Sequence, residues 1–248
     1  MKIAQVAPLY ESVPPKLYGG TERVVSYLTE ELVKQGHDLT LFASGDSITK
    51  AKLVSNTEQS LRLCGKCQDH LAYHVIQLQE IAERAAEFDV IHFHNDYIHF
   101  PLSSYFRVPF ITTLHGRLDL AELQYVYNKF STQPVISISN SQRKPLPQAN
   151  WKGTVYHGLP PDLLKMQNGS ANYFAFLGRV SPEKGVDKAI EIAKAARIKL
   201  KIAAKVDEAD KEYFKNNIEK LLDDPLVEFI GEIGESQKQS FFFFRIFN

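Results

Sequence analysis

Phe176-Leu177-Gly178-Arg179-Val180-Ser181-Pro182-Glu183-Lys184-Gly185 is the stretch on which the reading of the fold turns. Residues 173–177, at its start, have the length and composition of a buried strand. Residues 186–197, just after it, repeat apolar side chains at helical spacing. Between them, glycine, serine and proline turn the chain. A strand, a tight turn and a helix in that order are half of a βαβ unit, whose parallel strands need a crossover of this length. The alternation continues with a strand at 199–204, a helix at 209–222 and a strand at 227–230.

Upstream the same rhythm fills a longer segment. Strands are expected at 2–7, 38–43, Val90–Phe93, 110–114, 135–139 and 154–157. A helix over 21–35 would bury Val24, Leu28 and Leu32, with Gly36 as its left-handed terminator. A second over 70–88 would bury Leu71, Val75, Leu78, Ala82 and Ala85. Leu120, Leu123, Tyr127 and Phe130 mark a third. The polar run 167–172 reads as a linker. The expected architecture is α/β, with two Rossmann-like doubly wound parallel-sheet domains, 1–166 and a partial one at 173–248. Ligands of such sheets bind beyond the carboxyl ends of the strands, so a cleft between the domains is the expected site.

Composition narrows the function. The 248 residues carry 29 basic and 29 acidic side chains, a net charge of zero, and 44% are hydrophobic. That balance argues against nucleic acid or an anionic membrane as partner, since either would call for a basic face. No apolar run reaches the roughly 20 residues of a transmembrane segment, and the start lacks a signal-peptide core. A cytoplasmic location is the expectation. Two cysteines do not make a disulfide scaffold. Cys64 and Cys67 lie too close to His70 and His74 for the usual zinc finger, and prolong a helical apolar stripe as buried thiols.

Three places have the chemistry of a site. Tyr18-Gly19-Gly20-Thr21 precedes a helix; glycine lets a backbone approach a ligand, and a helix start offers N–H groups to a diphosphate. A glycine pair that merely turns the chain reads the same way. Arg179 and Lys184 follow a strand end, where a guanidinium fork and an ammonium suit diphosphate oxygens. The bland counterpart is two solvated loop cations, one paired with Glu183. His92 and His94 share one face of their strand. Spacing fixes no third metal ligand, although Asp96 and His99 are near, so no metal is expected. His92 reads as a hydrogen-bonded core residue, whereas His94 and Asp96 follow the strand end and would line the cleft.

Taken in order, Y-G-G-T-E-R (18–23), D-V-I-H-F-H-N-D (89–96), T-T-L-H-G (112–116), I-S-N-S (138–141), V-Y-H-G-L (155–159) and F-L-G-R-V-S-P-E-K-G (176–185) resemble a bacterial glycosyltransferase of family 4. The likeness runs from Met1 to about Gln239. It implies a GT-B fold and retaining transfer of a sugar from a nucleotide-diphosphate sugar to an acceptor, without a cofactor or metal, with 1–166 as the acceptor-side domain, 173–248 as the partial nucleotide-sugar donor domain, and His94 and Asp96 lining the acceptor side. The resemblance places Arg179 and Lys184 on the donor diphosphate, with the Gly19 and Gly20 backbone also touching the donor. His115 corresponds to the family histidine at the transferred sugar, the residue that would serve catalysis.

The chain departs from the family after Gly234, where a Glu-x7-Glu segment is expected and Phe241-Phe242-Phe243-Phe244 stands instead. The expectation is a C-terminally truncated chain, read out of frame after about Gln239; a tail packed into the first domain is the other reading. The missing acidic pair raises a second functional class, a nucleotide or sugar binder without catalysis. A solute-binding protein shares the layout, but the missing export signal counts against it.

Overall fold

The computed structural model describes residues 1–65, 67–164 and 172–242. The chain divides into two compact units: Met1–Pro15 with Gly19–Pro160, and Lys16–Tyr18 with Pro161–Asn248. The proposed linker 167–172 lies, apart from Asn172, outside the described residues, as do 243–248 of the phenylalanine tail.

The first unit is built on a parallel sheet of seven strands: β1 (Lys2–Val6), β2 (Asp38–Phe42), β3 (Lys52–Val54), β4 (Val90–Phe93), β5 (Phe110–Thr113), β6 (Val135–Ser137) and β7 (Trp151–Thr154). Their order is β3-β2-β1-β4-β5-β6-β7, so the chain reverses direction across the sheet between β1 and β4. Register places Lys2 beside Asp38 and Gln5 beside His92. Alternate residues of β2 show how both faces are covered. Phe42 joins Leu78 and Ile81 of α2 (His70–Arg84), while Leu41 and Ala43 join Val25 of α1 (Gly20–Lys34). A further cluster gathers Leu123 and Tyr127 of α3 (Ala121–Lys129) with Leu114, Val135 and Leu146.

Capping explains where two of these helices stop and start. Gly36 has φ 85°, and the Gly36 and His37 amides bond back to Val33 and Leu32 carbonyls, closing α1 through a left-handed residue. At α2 the Asp69 carboxylate accepts from the Leu71 and Ala72 amides, at 3.0 and 3.3 Å.

The expected buried stripes of α1 and α2 are corrected. In α1 the covered positions are Glu22, Val25, Ser26 and Thr29, while Val24, Leu28 and Leu32 are half-buried. In α2 they are His74, Gln77, Leu78 and Ile81, and Leu71 and Val75 are exposed. Hydrogen bonding turns the polar face of α2 inward. Gln77 Nε2 donates to the Ala7 and Phe42 carbonyls, and His74 Nε2 accepts from the Leu9 amide. These are backbone groups at the carboxyl ends of β1 and β2, which must find partners once buried. Cys64 and Cys67 precede the helix and are only half-buried.

The second unit has a three-stranded parallel sheet in its described residues, ordered β10-β9-β8: β8 (Tyr173–Arg179), β9 (Lys199–Lys205) and β10 (Val227–Gly231). Its α4 (Val186–Ala196) buries Val186, Ile190 and Ala193 against Leu200, Ile202 and Ala204. The helix expected at 209–222 is irregular: α5 (Lys211–Tyr213) runs into a π turn at Phe214–Ile218 and a 3-10 segment at Glu219–Asp223. A short α6 (Glu235–Phe241) follows, and Phe241 packs with Ala203 and Ile233 of its own unit. Tyr173 Oη donates to the Phe241 carbonyl at 2.9 Å. Among the described residues no helix is long and apolar enough to cross a membrane.

Candidate functional site

In the first unit, the carboxyl ends of β4, β5 and β7 bring imidazoles together. His92 lies on β4, His94 just beyond it, His115 two residues past β5 and His157 three past β7. His94 Nδ1 lies 2.9 Å from His115 Nε2, and His115 Nδ1 lies 3.3 Å from His157 Nε2, with those two rings stacked. At the inner end, Gln5 of β1 places Oε1 2.7 Å from His94 Nε2 and Nε2 3.5 Å from His92 Nδ1. His92 Nε2 reaches Thr113 Oγ1 at 2.7 Å.

Burial keeps these rings neutral, because a charged imidazole would lose its water. It depresses His92 to about 4. It takes His115 to about 3, helped by the proximity of His157 and His92. His94 lies well below the usual histidine range for the same reason, and His157 is lowered by burial too.

His94 requires a correction. It is 2% exposed and both ring nitrogens are engaged, so it holds His115 in place rather than meeting an acceptor. Asp96 is exposed, at φ 55°. His99, weighed above as a neighbouring metal ligand, stacks on Phe93 at 3.7 Å and bonds Thr112. Among the described residues no cluster of three or more His, Cys, Asp or Glu is arranged to hold a metal ion.

Gln5, His157 and Asn95 escaped the reading of the sequence. Gln5 interrupts the apolar run of a central strand, which is a signal in itself. Asn95 is 5% exposed, and neither atom of its carboxamide meets a protein partner. His157 lies within V-Y-H-G-L, but its place beside His115 has no signal there: a ring after β7 reaches one after β5 only because β6 sets the spacing.

Gly19 and Gly20 stand at the head of α1. A Cβ at Gly19 would come within 2.6 Å of Pro15 Cβ, so close packing already requires glycine there. Nothing lies within 4 Å of where a Cβ on Gly20 would sit. In the first turn, Glu22 is 5% exposed, and burial, reinforced by the Glu11 carboxylate, raises it to about 7.

The second unit gathers charge at the same kind of sheet edge. Gly178 and Arg179 are the last residues of β8 rather than loop residues, and register sets Arg179 beside Lys205. The guanidinium is divided among Glu183 at 2.6 Å, Asp210 at 3.5 Å and Asp207 at 3.6 Å. Lys205 also pairs with Asp207, and its ammonium lies 5.5 Å from the Tyr18 ring centre. The Glu183 carboxyl is held at about 2 by its own backbone amide, with Ser181 and Arg179 assisting. Lys184 is exposed, at the end of a 3-10 turn that passes through Gly185, φ 69°, into α4. Arg179 thus ends the strand and Lys184 follows it in the turn, with the Arg179 guanidinium bound by carboxylates of its own chain.

The family model described as Glycosyltransferase Family 4 matches residues 18–150, more than half of the chain. No curated protein sequence matches. Among solved structures, AviGT4, a glycosyltransferase involved in avilamycin A biosynthesis, is 23% identical with a TM-score of 0.66, over 96% of this chain and 65% of its own. Sucrose-phosphate synthase from Thermosynechococcus elongatus is 14% identical with a TM-score of 0.71, over 98% and 73%. A glycosyltransferase from Rickettsia africae is 17% identical with a TM-score of 0.59, over 93% and 68%. The chain thus spans 65% of the length of AviGT4. At these identities the likeness is one of fold, the GT-B arrangement of Rossmann-like parallel sheets.

Proposed function

The chain belongs to glycosyltransferase family 4, and on that premise we propose that it transfers a sugar from a nucleotide-diphosphate sugar to a hydroxyl acceptor with retention of anomeric configuration. The observation that carries this reading is the position of Arg179. It ends a parallel strand, stands beside Lys205 and precedes the turn that presents Lys184. A departing diphosphate gathers negative charge as the sugar–oxygen bond breaks, and preorganised cations lower the energy of that state. Arg179 and Lys184 fill this role. The carboxylates of Glu183, Asp207 and Asp210 hold the guanidinium in position and exchange it for phosphate oxygens as the donor binds.

His115 orients the sugar at the reacting carbon. Its ring, held neutral between His94 and His157, packs beside the sugar without placing a cation next to the oxocarbenium-like centre. Asp96 receives the acceptor hydroxyl. The backbones of Gly19 and Gly20 add donors for the diphosphate. The nucleotide sugar is the substrate, and the proposal includes no resident cofactor or metal.

The test incubates the full chain with uridine, guanosine and adenosine diphosphate sugars and a panel of hydroxyl acceptors. Release of nucleoside diphosphate is followed, and proton NMR of the product gives the anomeric configuration. Transfer with the donor's configuration supports the proposal, and an inverted product overturns its stereochemistry. Saturable nucleotide binding without transfer would favour the second functional class, a nucleotide or sugar binder without catalysis.

A further inference from the structure

Gln5, His94, His115 and His157 form a hydrogen-bonded file with a direction. Gln5 Oε1 can only accept, so His94 carries its proton on Nε2. A neutral imidazole has one N–H, which leaves His94 Nδ1 as a lone pair and makes His115 Nε2 the donor to it. By the same step His115 Nδ1 accepts from His157 Nε2. His157 Nδ1 remains as an acceptor, on an exposed residue at the end of the file. The amide of Gln5 is consistent with this on its other side, where Nε2 faces His92 Nδ1 and His92 Nε2 is left to donate to Thr113.

We propose that Gln5 sets the polarity of this file, and that its exposed end, His157 Nδ1, recognises a hydroxyl of the sugar or the acceptor by accepting a hydrogen bond from it. A neutral lone pair selects a proton donor and disfavours a phosphate oxygen, which has none to give. His157 would touch the substrate, whereas Gln5 and His94 act through it as positioning residues. The inference deepens the transferase reading and rests on it for the identity of the hydroxyl; the direction of the file stands without it.

The full chain labelled with 15N-histidine provides the test, because long-range proton–nitrogen correlations distinguish the two tautomers. The expected spectrum shows Nε2–H imidazoles for His94, His115 and His157. A protonated Nδ1 at His157 in the neutral chain overturns the polarity. Gln5→Glu then inverts the file. One proton from solvent enters at His157 Nδ1, the His157 Nε2 proton passes to His115 Nδ1, and the His115 Nε2 proton passes to His94 Nδ1. His94 is left as an imidazolium beside the new carboxylate, and both outer rings become Nδ1–H tautomers. Retention of the Nε2–H tautomers in the Gln5→Glu variant, with its new carboxylate ionised, counts against control by this position.

Ligand class is probed with methyl α-D-glucoside and methyl phosphate. The glucoside should move the His157 Nδ1 resonance and the phosphate should not. His157→Phe, at an exposed position, should weaken glucoside binding about tenfold, as loss of one hydrogen bond does. A shift with phosphate alone, or with neither probe, overturns hydroxyl recognition. Failure of sugar transfer with the tautomers as expected would instead count against the transferase reading alone.

Discussion

The histidine file of the first unit and the Arg179 cluster of the second both sit at the carboxyl ends of parallel strands, yet they manage charge in opposite ways. The file is kept uncharged by burial, and its groups are held by directional hydrogen bonds. The cluster keeps its charges and balances a guanidinium against three carboxylates. A sheet edge thus prescribes only where polar groups collect. Burial on one sheet and the carboxylates beside Arg179 on the other decide whether the resulting site is neutral or ionic.

Acid should separate the two most sharply. Free histidine titrates near 6.5, whereas His92 stands at about 4 and His99 and His115 at about 3. Below pH 6.5 the unfolded chain therefore binds protons that the folded chain refuses. The stability these rings confer is complete above 6.5 and is lost as pH falls toward 4 and 3, by about 6 kcal/mol at pH 5. Trp151, the lone tryptophan, lies in the first unit and reports its loss by fluorescence. The remaining circular dichroism should persist to lower pH, because the stability that Glu183 confers is complete above 4.5 and is lost only as pH falls from there toward 2. A single coincident transition would break the contrast.

Glu22 provides the opposite slope within the first unit. Its folded value of about 7 lies above the ordinary 4.5, so its stabilising protonated form is complete below 4.5 and is lost as pH rises through 7. Glu22→Gln should stabilise the protein by about 3 kcal/mol at pH 8 and leave it unchanged at pH 4, as urea unfolding at both values would show.

Arg179→Ala should weaken nucleoside diphosphate binding by about 2 kcal/mol, roughly thirtyfold, measured by titration calorimetry. An unchanged affinity would remove Arg179 from the site. The smallest effect is expected for Asp207→Asn. Releasing Arg179 and Lys205 from a shared carboxylate should tighten diphosphate binding by about 0.5–1 kcal/mol, an effect that added salt diminishes.

Much of the strand–helix alternation can be read directly, because parallel strands covered on both faces are nearly continuous apolar runs. The helices mislead where polar side chains face inward. Periodicity puts Leu71 and Val75 in the core, but His74 and Gln77 take that face to satisfy backbone groups at the ends of β1 and β2. The site divides in the same way. Arg179 and Lys184 belong to one local motif and announce themselves, as does His115. Gln5 and His157 join the site through register and strand order, which no local window contains.

The strand order also bears on how the first unit is made. β1 is synthesised first and ends in the interior of a seven-stranded sheet, with β2 and β3 outward on one side and β4 to β7 on the other. As the chain leaves the ribosome, each new strand after β1 can dock on an edge that already exists, first in one direction and then in the other. The second edge of β1 stays open from the end of β2 until β4 arrives, while residues 43–89 are added at roughly 5–20 per second. That edge, next to Gln5, is thus the last edge of β1 to be covered and lies beside the anchor of the histidine file. A pause in translation just before β4 is where a chaperone would find this protein most exposed.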